Sequence, residues 1–259
     1  MGYQQNVAAA FDLAKNYHQQ ASVQERVAQQ LALLVAEFDL PEKPRILEIG
    51  CGTGFLSQHL IKQWPHANLL LTDISPGMLE RCQTQLGEID RKRVDFARMD
   101  GESISLEGEF DLIISSLAFQ WFNDPMGNLE KLALKLASGG RLAFMTLGDG
   151  SFHEWRKLCE QSKIPCGLHQ YPNRAAWEKA WPVMGSGEMV ESRIIVDHPS
   201  PQFFLKGLKQ IGASLSPADY RPITGAGLRQ VLRSHNRMKK KFSITYHLLF
   251  GSFKLDNEL

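Results

Sequence analysis

Three glycines at alternate positions near residue 50 constrain the fold of this chain more than any other feature. The segment Glu48-Ile-Gly50-Cys-Gly52-Thr-Gly54 follows the apolar run Arg45–Ile49 and precedes an amphipathic stretch. A strand that turns into a helix beside a bound ligand needs positions without a Cβ, so that the backbone bends sharply and passes close to the ligand. The first N–H groups of the helix are then free to face the polar end of that ligand. The segment therefore predicts a strand, a ligand-binding loop and a helix.

The spacing of these glycines argues against a dinucleotide as the ligand. The dinucleotide fingerprint is G-x-G-x-x-G/A, and from Gly50 it would place its third small residue at Phe55, whose ring would crowd a pyrophosphate. The observed spacing G-x-G-x-G, with an acid two residues ahead, resembles motif I of class I methyltransferases. A glycine-rich turn with a purely structural role is the alternative. The resemblance implies S-adenosylmethionine as cofactor, bound by Glu48, Gly50, Cys51, Gly52 and Gly54.

Short apolar runs alternate with amphipathic stretches along the rest of the chain, a pattern typical of a parallel sheet covered by helices. Residues 8–38 predict one long helix, which two prolines follow. We expect strands at 45–49, 68–72, 94–99, 110–115, 141–147, 190–196 and 242–250. We expect helices from about 55, from 76, over 125–137 and 152–161, and irregularly over 201–235. Gly139-Gly140 predicts the end of the helix over 125–137.

Polar residues at the ends of three further strands extend the predicted site, because open α/β sheets bind ligands at the carboxyl ends of their strands. Asp73 ends the second strand and is suited to accept hydrogen bonds from both hydroxyls of a ribose. Its alternative role is a helix N-cap, for which Ser75, just before Pro76, is the better candidate. Asp100-Gly101 follows the third strand; the methyltransferase pattern implies a contact with the adenine amino group, although Asp-Gly is also a common turn. The further cofactor-binding residues that we predict are Tyr17, Asp73, Ile74, Asp100, Gly101 and Ser116.

Aromatic and amide residues near these strands are candidates for closing the site. Tyr17 is predicted to close over the methyl donor, with a core tyrosine on a helix face as the alternative. Gln120 and Trp121 leave the fourth strand where the acceptor is expected, so they are candidates to orient a carbonyl and exclude water. Trp121 as a plain core residue is the competing interpretation. Tyr246 and His247 are predicted to be interior strand residues rather than substrate contacts.

Segments outside the glycine loop resemble one branch of the superfamily, the malonyl-[acyl-carrier protein] O-methyltransferases of biotin synthesis. The segments are 11–18, with Gln24 and Arg26 following, then 117–121, 204–213 and 245–250. The resemblance covers nearly the whole chain and departs most from about 163 to 187. It implies methyl transfer from S-adenosylmethionine to the free carboxylate of a malonyl thioester, on carrier protein or coenzyme A. The cysteine pattern, which suggests no disulfide framework, and the lack of a signal-peptide layout make a reduced cytoplasm the expected location.

The same resemblance implies a single domain over residues 1–259 with a Rossmann-like class I methyltransferase fold. We expect a seven-stranded, mostly parallel sheet with a C-terminal antiparallel strand and a helical cap insertion. An N-terminal helical segment (1–40) would precede the cofactor-binding core (41–150). Substrate and cap insertions would occupy about 163–187 and 199–240.

Charge is distributed unevenly, although the net charge of the chain is only +1. From His198 to Lys254 there are ten Lys or Arg residues and one acid, Asp219. A solvated basic face is one interpretation. The family resemblance implies another, a docking face for a strongly acidic acyl carrier protein, where complementary charge would speed and orient docking. The candidate docking residues are Lys206, Lys209, Arg229, Arg233, Arg237 and Lys239 to Lys241.

Several function classes are disfavoured by the sequence. The four cysteines form no C-x-x-C pair and the eight histidines show no ligand spacing, so no metal is expected. No apolar run reaches the roughly 20 residues that span a bilayer, and no signal-peptide layout is seen. The chain lacks an Asn/Asp-Pro-Pro-Tyr/Phe motif, which disfavours nucleic-acid methylation. A carboxylate acceptor is already ionised at neutral pH, so no catalytic general base is nominated.

Two alternatives remain open at this stage. One is a methyltransferase that acts on a small-molecule carboxylate or another metabolite. The other is a binding protein that keeps the nucleotide site without chemistry, against which the intact glycines and Asp73 argue.

Overall fold

Seven strands form one mixed sheet in the computed structural model, which describes residues 2–88, 92–217, 220, 223–236 and 241–257. The strands are β1 Arg45–Ile49, β2 Asn68–Asp73, β3 Val94–Arg98, β4 Phe110–Ser116, β5 Leu136–Leu147, β6 Gly185–His198 and β7 Phe242–Leu255. Their order is β3-β2-β1-β4-β5-β7-β6. The first five pair in parallel, whereas β7 runs antiparallel to both neighbours. This topology confirms the predicted fold class.

Ten helices surround the sheet in the part of the chain that the structure describes. They are α1 Tyr3–Asp12, α2 Tyr17–Gln20, α3 Ser22–Val35, α4 Phe55–Gln63, α5 Pro76–Leu86, α6 Asn128–Ala133, α7 His153–Gln161, α8 Arg174–Glu178, α9 Pro201–Gln210 and α10 Gly225–Asn236. A 3-10 turn spans Phe119–Trp121. α7 and α8 lie between β5 and β6, and α9 and α10 lie between β6 and β7. No described helix is long and apolar enough to cross a bilayer.

The central strands β1 and β4 are buried on both faces, because successive strand residues point to opposite sides and helices cover each side. Ile46 packs with the inner face of α3 and with α4 in one core cluster. Its neighbour Leu47 belongs to a second cluster that includes α6 and Trp177 of α8. The continuous apolar runs of β1 and β4 follow from this double burial, and they place the ends of these strands at a fixed edge.

The single helix predicted over residues 8–38 was wrong, because three helices occupy this segment. The first ends at Asp12, whose carboxylate Oδ1 accepts hydrogen bonds from Ser75 Oγ at 2.5 Å and Gly77 N–H at 2.9 Å. Arg81 donates to the terminal carbonyls of Asp12 at 2.6 Å and Phe11 at 3.2 Å. These partners replace the hydrogen bonds that a continued helix would make, so the chain turns and α1 is fixed to α5.

The prediction that Gly139-Gly140 ends a helix was also wrong. Helix α6 ends earlier, at Ala133, and both glycines lie within β5. The pairing of β4 with β5 shifts register between Phe110 and Leu112, which marks a bulge that contains the two glycines. Gly139 has φ of +71°, a conformation typical of bulges and turns alike. A Gly-Gly pair signals the unusual backbone but not the element that contains it.

The last two strands are longer than the sequence predicts. β6 and β7 pair over 14 residues each, from Gly185 opposite Leu255 to His198 opposite Phe242. The start of β6 is polar because the strand lies at the exposed edge of the sheet, and it contains Gly187 because a Cβ there would clash with the ring of Trp181. Such an edge strand shows little of the apolar alternation on which strand prediction depends.

Candidate active site

A cavity of about 600 Å³ lies at the C-terminal ends of β1 to β4. Its floor comes from the residues that end these strands: Ile49, Gly50, Gly52, Asp73, Ile74, Met99, Asp100, Gly101, Ser116, Leu117 and Ala118. Its remaining walls come from Gln4, Val7, Phe11, Tyr17, Met78, Trp121 and Phe122. We call this the first cavity. Eight predicted cofactor residues line it, namely Tyr17, Gly50, Gly52, Asp73, Ile74, Asp100, Gly101 and Ser116.

Asp73 connects the glycine loop to the start of α5. Its Oδ2 accepts the N–H of Gly52 at 2.9 Å, and its Oδ1 accepts the N–H of Ser75 at 2.9 Å. Ser75 in turn caps α5, because its Oγ accepts the N–H of Met78 at 3.1 Å. Burial raises the pKa of Asp73 to about 6, against the lowering effect of these hydrogen bonds. Asp73 is therefore a buried carboxylate that organises the cavity wall, while the cap role belongs to Ser75.

The three glycines of the loop differ in what surrounds them, although all have positive φ. A Cβ added at Gly50 would lie 2.5 Å from Ala118 Cβ, and one at Gly54 would lie 2.9 Å from Cys82 Sγ. A Cβ at Gly52 would meet only the ring of Tyr17, at 4.0 Å. Gly50 and Gly54 thus permit close packing inside the protein, whereas Gly52 leaves open space beside Tyr17.

Glu48 lies beneath the loop rather than in the first cavity. Its side chain is 1% exposed and accepts a hydrogen bond from Ser57 Oγ at 2.6 Å. Burial raises the pKa of Glu48 to about 8, partly opposed by the Ser57 hydrogen bond. Cys51 and Gly54 are likewise absent from the cavity lining. These three residues shape the loop from below, and their direct contact with a cofactor stays a prediction.

The N-terminal helix contributes cavity residues that the sequence did not single out. Val7 and Phe11 line the first cavity from α1, one helical turn apart. Gln4 Nε2 donates to Glu102 Oε2 at 2.7 Å and to the Trp121 carbonyl at 3.2 Å, which fixes α1 over the end of β4. Apolar spacing on a helix predicts packing against the protein and gives no signal for a ligand. Met99, Leu117 and Phe122, which directly follow β3, β4 and the 3-10 turn, were also missed, because a single apolar residue after such an element gives no signal for a ligand.

Comparison with known proteins identifies the family. The methyltransferase domain family model matches residues 47–142. A malonyl-[acyl-carrier protein] O-methyltransferase from Magnetococcus marinus is 45% identical over 247 residues, covering 95% of this chain and 91% of that protein. The chain belongs to the malonyl-[acyl-carrier protein] O-methyltransferase family. A second member, from Priestia megaterium, is 31% identical with 95% of each chain covered.

Solved structures support the fold of this family member. The plantazolicin methyltransferase BamL, solved in complex with a triazolic desmethylPZN analog and S-adenosylhomocysteine, superposes with a TM-score of 0.57. The alignment covers 98% of this chain and 97% of that chain at 16% identity. At this identity the likeness shows the shared class I methyltransferase fold.

A second cavity, of about 530 Å³, adjoins the first in this O-methyltransferase family member. Phe11, Tyr17, Leu117 and Trp121 line both cavities. The second cavity is also lined by Gln24, Gln120, Leu147, Phe152, Leu168, Tyr171, Leu208, Ile211, Ala213 and Tyr246. None of these lining residues carries a formal charge. The two predicted orienting residues are therefore placed differently, with Trp121 between the cavities and Gln120 in the second.

Hydrogen bonds and ring contacts fix the side chains at this junction. Gln120 Nε2 donates to the Leu117 carbonyl at 2.6 Å, and its Oε1 accepts from Thr146 Oγ1 at 3.2 Å. The rings of Phe11 and Trp121 meet edge to face with centroids 5.5 Å apart. Burial, with the charge of Asp73 adding to it, raises the pKa of Tyr17, so its hydroxyl stays neutral.

Four of the predicted docking residues lie on the two helices inserted between β6 and β7. Lys206 and Lys209 of α9 and Arg229 and Arg233 of α10 are exposed. Arg237, Lys239 and Lys240 lie outside the described residues. Lys241 is exposed, and its Nζ lies 3.8 Å from Asp197 Oδ2. Among the residues that the structure describes, no cluster of His, Cys, Asp and Glu is suited to hold a metal ion.

Proposed function

We propose that the chain transfers the methyl group of S-adenosylmethionine to the free carboxylate of malonyl-[acyl-carrier protein], forming a methyl ester early in biotin synthesis. The observation that carries the proposal is the pair of adjoining cavities in a member of this family. One cavity contains the glycine loop and Asp73, and the other is uncharged and shares four lining residues with it. This substrate implies a cytoplasmic location, because carrier-protein thioesters of fatty-acid synthesis are made in the cytoplasm.

The lining of the first cavity fits S-adenosylmethionine in its chemistry, because apolar walls and a few convergent polar groups are typical of small-molecule sites. Asp73 supplies carboxylate oxygens for the ribose hydroxyls, while Ile74 and Met99 offer apolar walls for the adenine. The open space beside Gly52 is the place where a side chain would exclude the ligand. When bound, the cofactor supplies a methyl group on a positively charged sulfur.

The uncharged second cavity suits a carboxylate acceptor. Methyl transfer converts a carboxylate anion and a sulfonium cation into two neutral groups, so charge disappears as the reaction proceeds. A low-polarity site without a counter-cation destabilises the charged reactants relative to the less charged transition state. Tyr17 and Trp121 exclude water where the two cavities meet, and they restrict the approach of the two reactants. No residue needs to accept a proton.

Helix α9 contributes residues both to the second cavity and to the proposed docking face. Leu208, on the buried side of α9, lines the second cavity, as do Ile211 and Ala213 just after the helix. Lys206 and Lys209 are exposed on the same helix. A carrier protein bound to these cations would therefore lie against the helix that forms part of the acceptor wall. Its acidic surface would be attracted at long range, which raises the rate of association.

Incubation of the purified protein with S-adenosylmethionine and malonyl-carrier protein, followed by mass analysis, tests the activity. We expect a gain of one methyl group on the malonyl carrier. Binding of the donor without transfer to any malonyl thioester would refute the proposal. Methylation of free small carboxylic acids alone would favour the metabolite-acting alternative.

Charge reversal tests the docking face. The double variant Lys206→Glu/Lys209→Glu is expected to raise KM for malonyl-carrier protein by roughly tenfold while leaving turnover of malonyl-pantetheine unchanged. Lys131→Glu, an exposed lysine on α6, is the matched control and should change neither value. An unchanged KM in the double variant would show that the carrier binds elsewhere.

A further inference from the structure

Two tyrosines of the second cavity carry hydroxyl groups without partners. Tyr246 of β7 is 7% exposed, and Tyr171 lies in the segment between α7 and α8. Both side chains line the cavity. Neither hydroxyl forms a hydrogen bond with any residue that the structure describes, and neither oxygen is enclosed by protein atoms. A hydroxyl without a protein partner, on a side chain that lines a cavity, is available to a ligand there.

The two phenols stay protonated and so act as hydrogen-bond donors. Burial raises the pKa of Tyr246 to about 12. Burial also raises the pKa of Tyr171, although the charge of Arg156 opposes this effect. Each phenol therefore offers one O–H to an oxygen in the cavity across the whole neutral range.

Among the described residues, none that lines the cavity is a cation that could perform this task instead. Arg156 is near, with its guanidinium carbon 5.9 Å from the centroid of the Tyr171 ring. Its N–H groups donate to the backbone carbonyls of His169 and Ser151, and its side chain is absent from the cavity lining. The anionic end of an acceptor would thus meet uncharged donors.

Phe152 holds the two tyrosine rings in place. Its ring meets that of Tyr246 edge to face at 5.0 Å between centroids and that of Tyr171 at 6.1 Å. Phe152 has φ of +59°, and Leu117, which also lines the second cavity, has φ of +54°. Side chains rarely adopt this left-handed conformation, which costs of order 1–3 kcal/mol and is concentrated at ligand sites. Two such residues in the lining of one cavity indicate a shape maintained for binding.

We propose that the hydroxyls of Tyr171 and Tyr246 donate the hydrogen bonds that hold the acceptor carboxylate in the second cavity. The inference rests on the proposed function and assigns the residues that recognise its substrate. Neutral donors orient the carboxylate without pairing its charge. A guanidinium would stabilise the anion more strongly in the ground state than in the transition state, where the charge is being lost, and would slow transfer.

Phenylalanine substitutions test the assignment. Tyr171→Phe and Tyr246→Phe remove one oxygen each and keep the ring contacts with Phe152. Loss of a hydrogen bond to a charged group corresponds to a rise of about tenfold to 150-fold in KM for malonyl-pantetheine in each variant. We expect a smaller change in kcat and an unchanged Kd for S-adenosylmethionine, measured by calorimetry. Tyr220→Phe is the matched control, because Tyr220 lines neither cavity.

A neutral competitor separates recognition of charge from recognition of shape. Propionyl-pantetheine lacks the carboxylate, so its inhibition constant should be the same in the wild type and in the Tyr171→Phe/Tyr246→Phe double variant. Equal weakening for the neutral and the malonyl compounds, or a double variant with wild-type KM, would overturn the inference. A wild-type protein inactive on all malonyl thioesters would instead refute the proposed function, and the two failures are thereby distinguished.

Discussion

Replacing Gly52 by alanine should separate the binding role of the glycine loop from its role in folding. Gly52 has φ of +54°, and alanine in this left-handed conformation costs about 1 to 2 kcal/mol of stability. The added Cβ would lie 4.0 Å from the nearest atoms, in the ring of Tyr17, so no further steric cost arises within the protein. For a chain of this size, the loss corresponds to a fall of about 2 to 8 °C in Tm.

The Cβ methyl group that Gly52→Ala adds would occupy space that the cofactor needs. Gly52 lines the first cavity, so its Cβ would crowd the bound ligand. Overpacking by one methyl group costs about 1 to 3 kcal/mol, which raises Kd for S-adenosylmethionine by about 5-fold to 140-fold. Calorimetric titration measures Kd, and thermal unfolding without ligand measures Tm.

Gly54→Ala provides the matched control. Gly54 also has positive φ, at +89°, but its added Cβ would lie 2.9 Å from Cys82 Sγ and outside the first cavity. This variant should lose more stability than Gly52→Ala while keeping a Kd closer to that of the wild type. The reasoning is refuted if Gly52→Ala binds the donor with wild-type affinity, or if the two variants lose affinity in proportion to their loss of stability.

Two further predictions concern buried carboxylates. Because the folded-state pKa of Asp73 is about 6, the affinity for S-adenosylmethionine should fall as the pH drops below this value. The variant Asp73→Asn should bind S-adenosylmethionine weakly at every pH. A calorimetric titration series that shows the same pH profile for both proteins would contradict this role of Asp73. Glu48 has an ordinary pKa of 4.5 and a folded-state pKa of about 8. Between these two pH values the folded chain keeps a proton that the unfolded chain releases. The contribution of Glu48 to the free energy of unfolding therefore falls as the pH rises through this window. The variant Glu48→Gln should not show this fall in the free energy of unfolding, which urea denaturation measures below and above the pH window. An equal fall in the variant and the wild type would count against a buried neutral Glu48.

The parallel half of the fold was predictable because its signals are local. Ser75 and Pro76 predict the start of α5, and the structure places Ser75 as its N-cap. The apolar runs of β1 and β4 give their strands within one residue. The breaks around α2 were not predictable, because they depend on Arg81 and Asp12, which are about 70 residues apart in sequence. Pairing of this kind leaves no trace in local periodicity.

The candidate site likewise has one part that the sequence predicts and another part that it does not. Gly52, Asp73 and Asp100 were identifiable because they follow strands whose ends meet at one edge of the sheet. Tyr246 was predicted to be an interior strand residue, and it is buried, yet it also lines a cavity that only the fold reveals. The walls from α1, such as Val7, are ordinary apolar helix positions in the sequence. Their role depends on which surface the helix covers.

The position of β7 between β5 and β6 has a consequence for biosynthesis. β6 lies at the edge of the sheet, with β7 as its neighbour, so a growing chain that has not reached residue 242 contains a 14-residue strand without its partner. The outer edge of β5 is open for the same interval. Unpaired edges of this length recruit other polypeptides. Ribosomes that stall late on this message would therefore release a fragment prone to aggregate, although most of the cofactor site has already been translated.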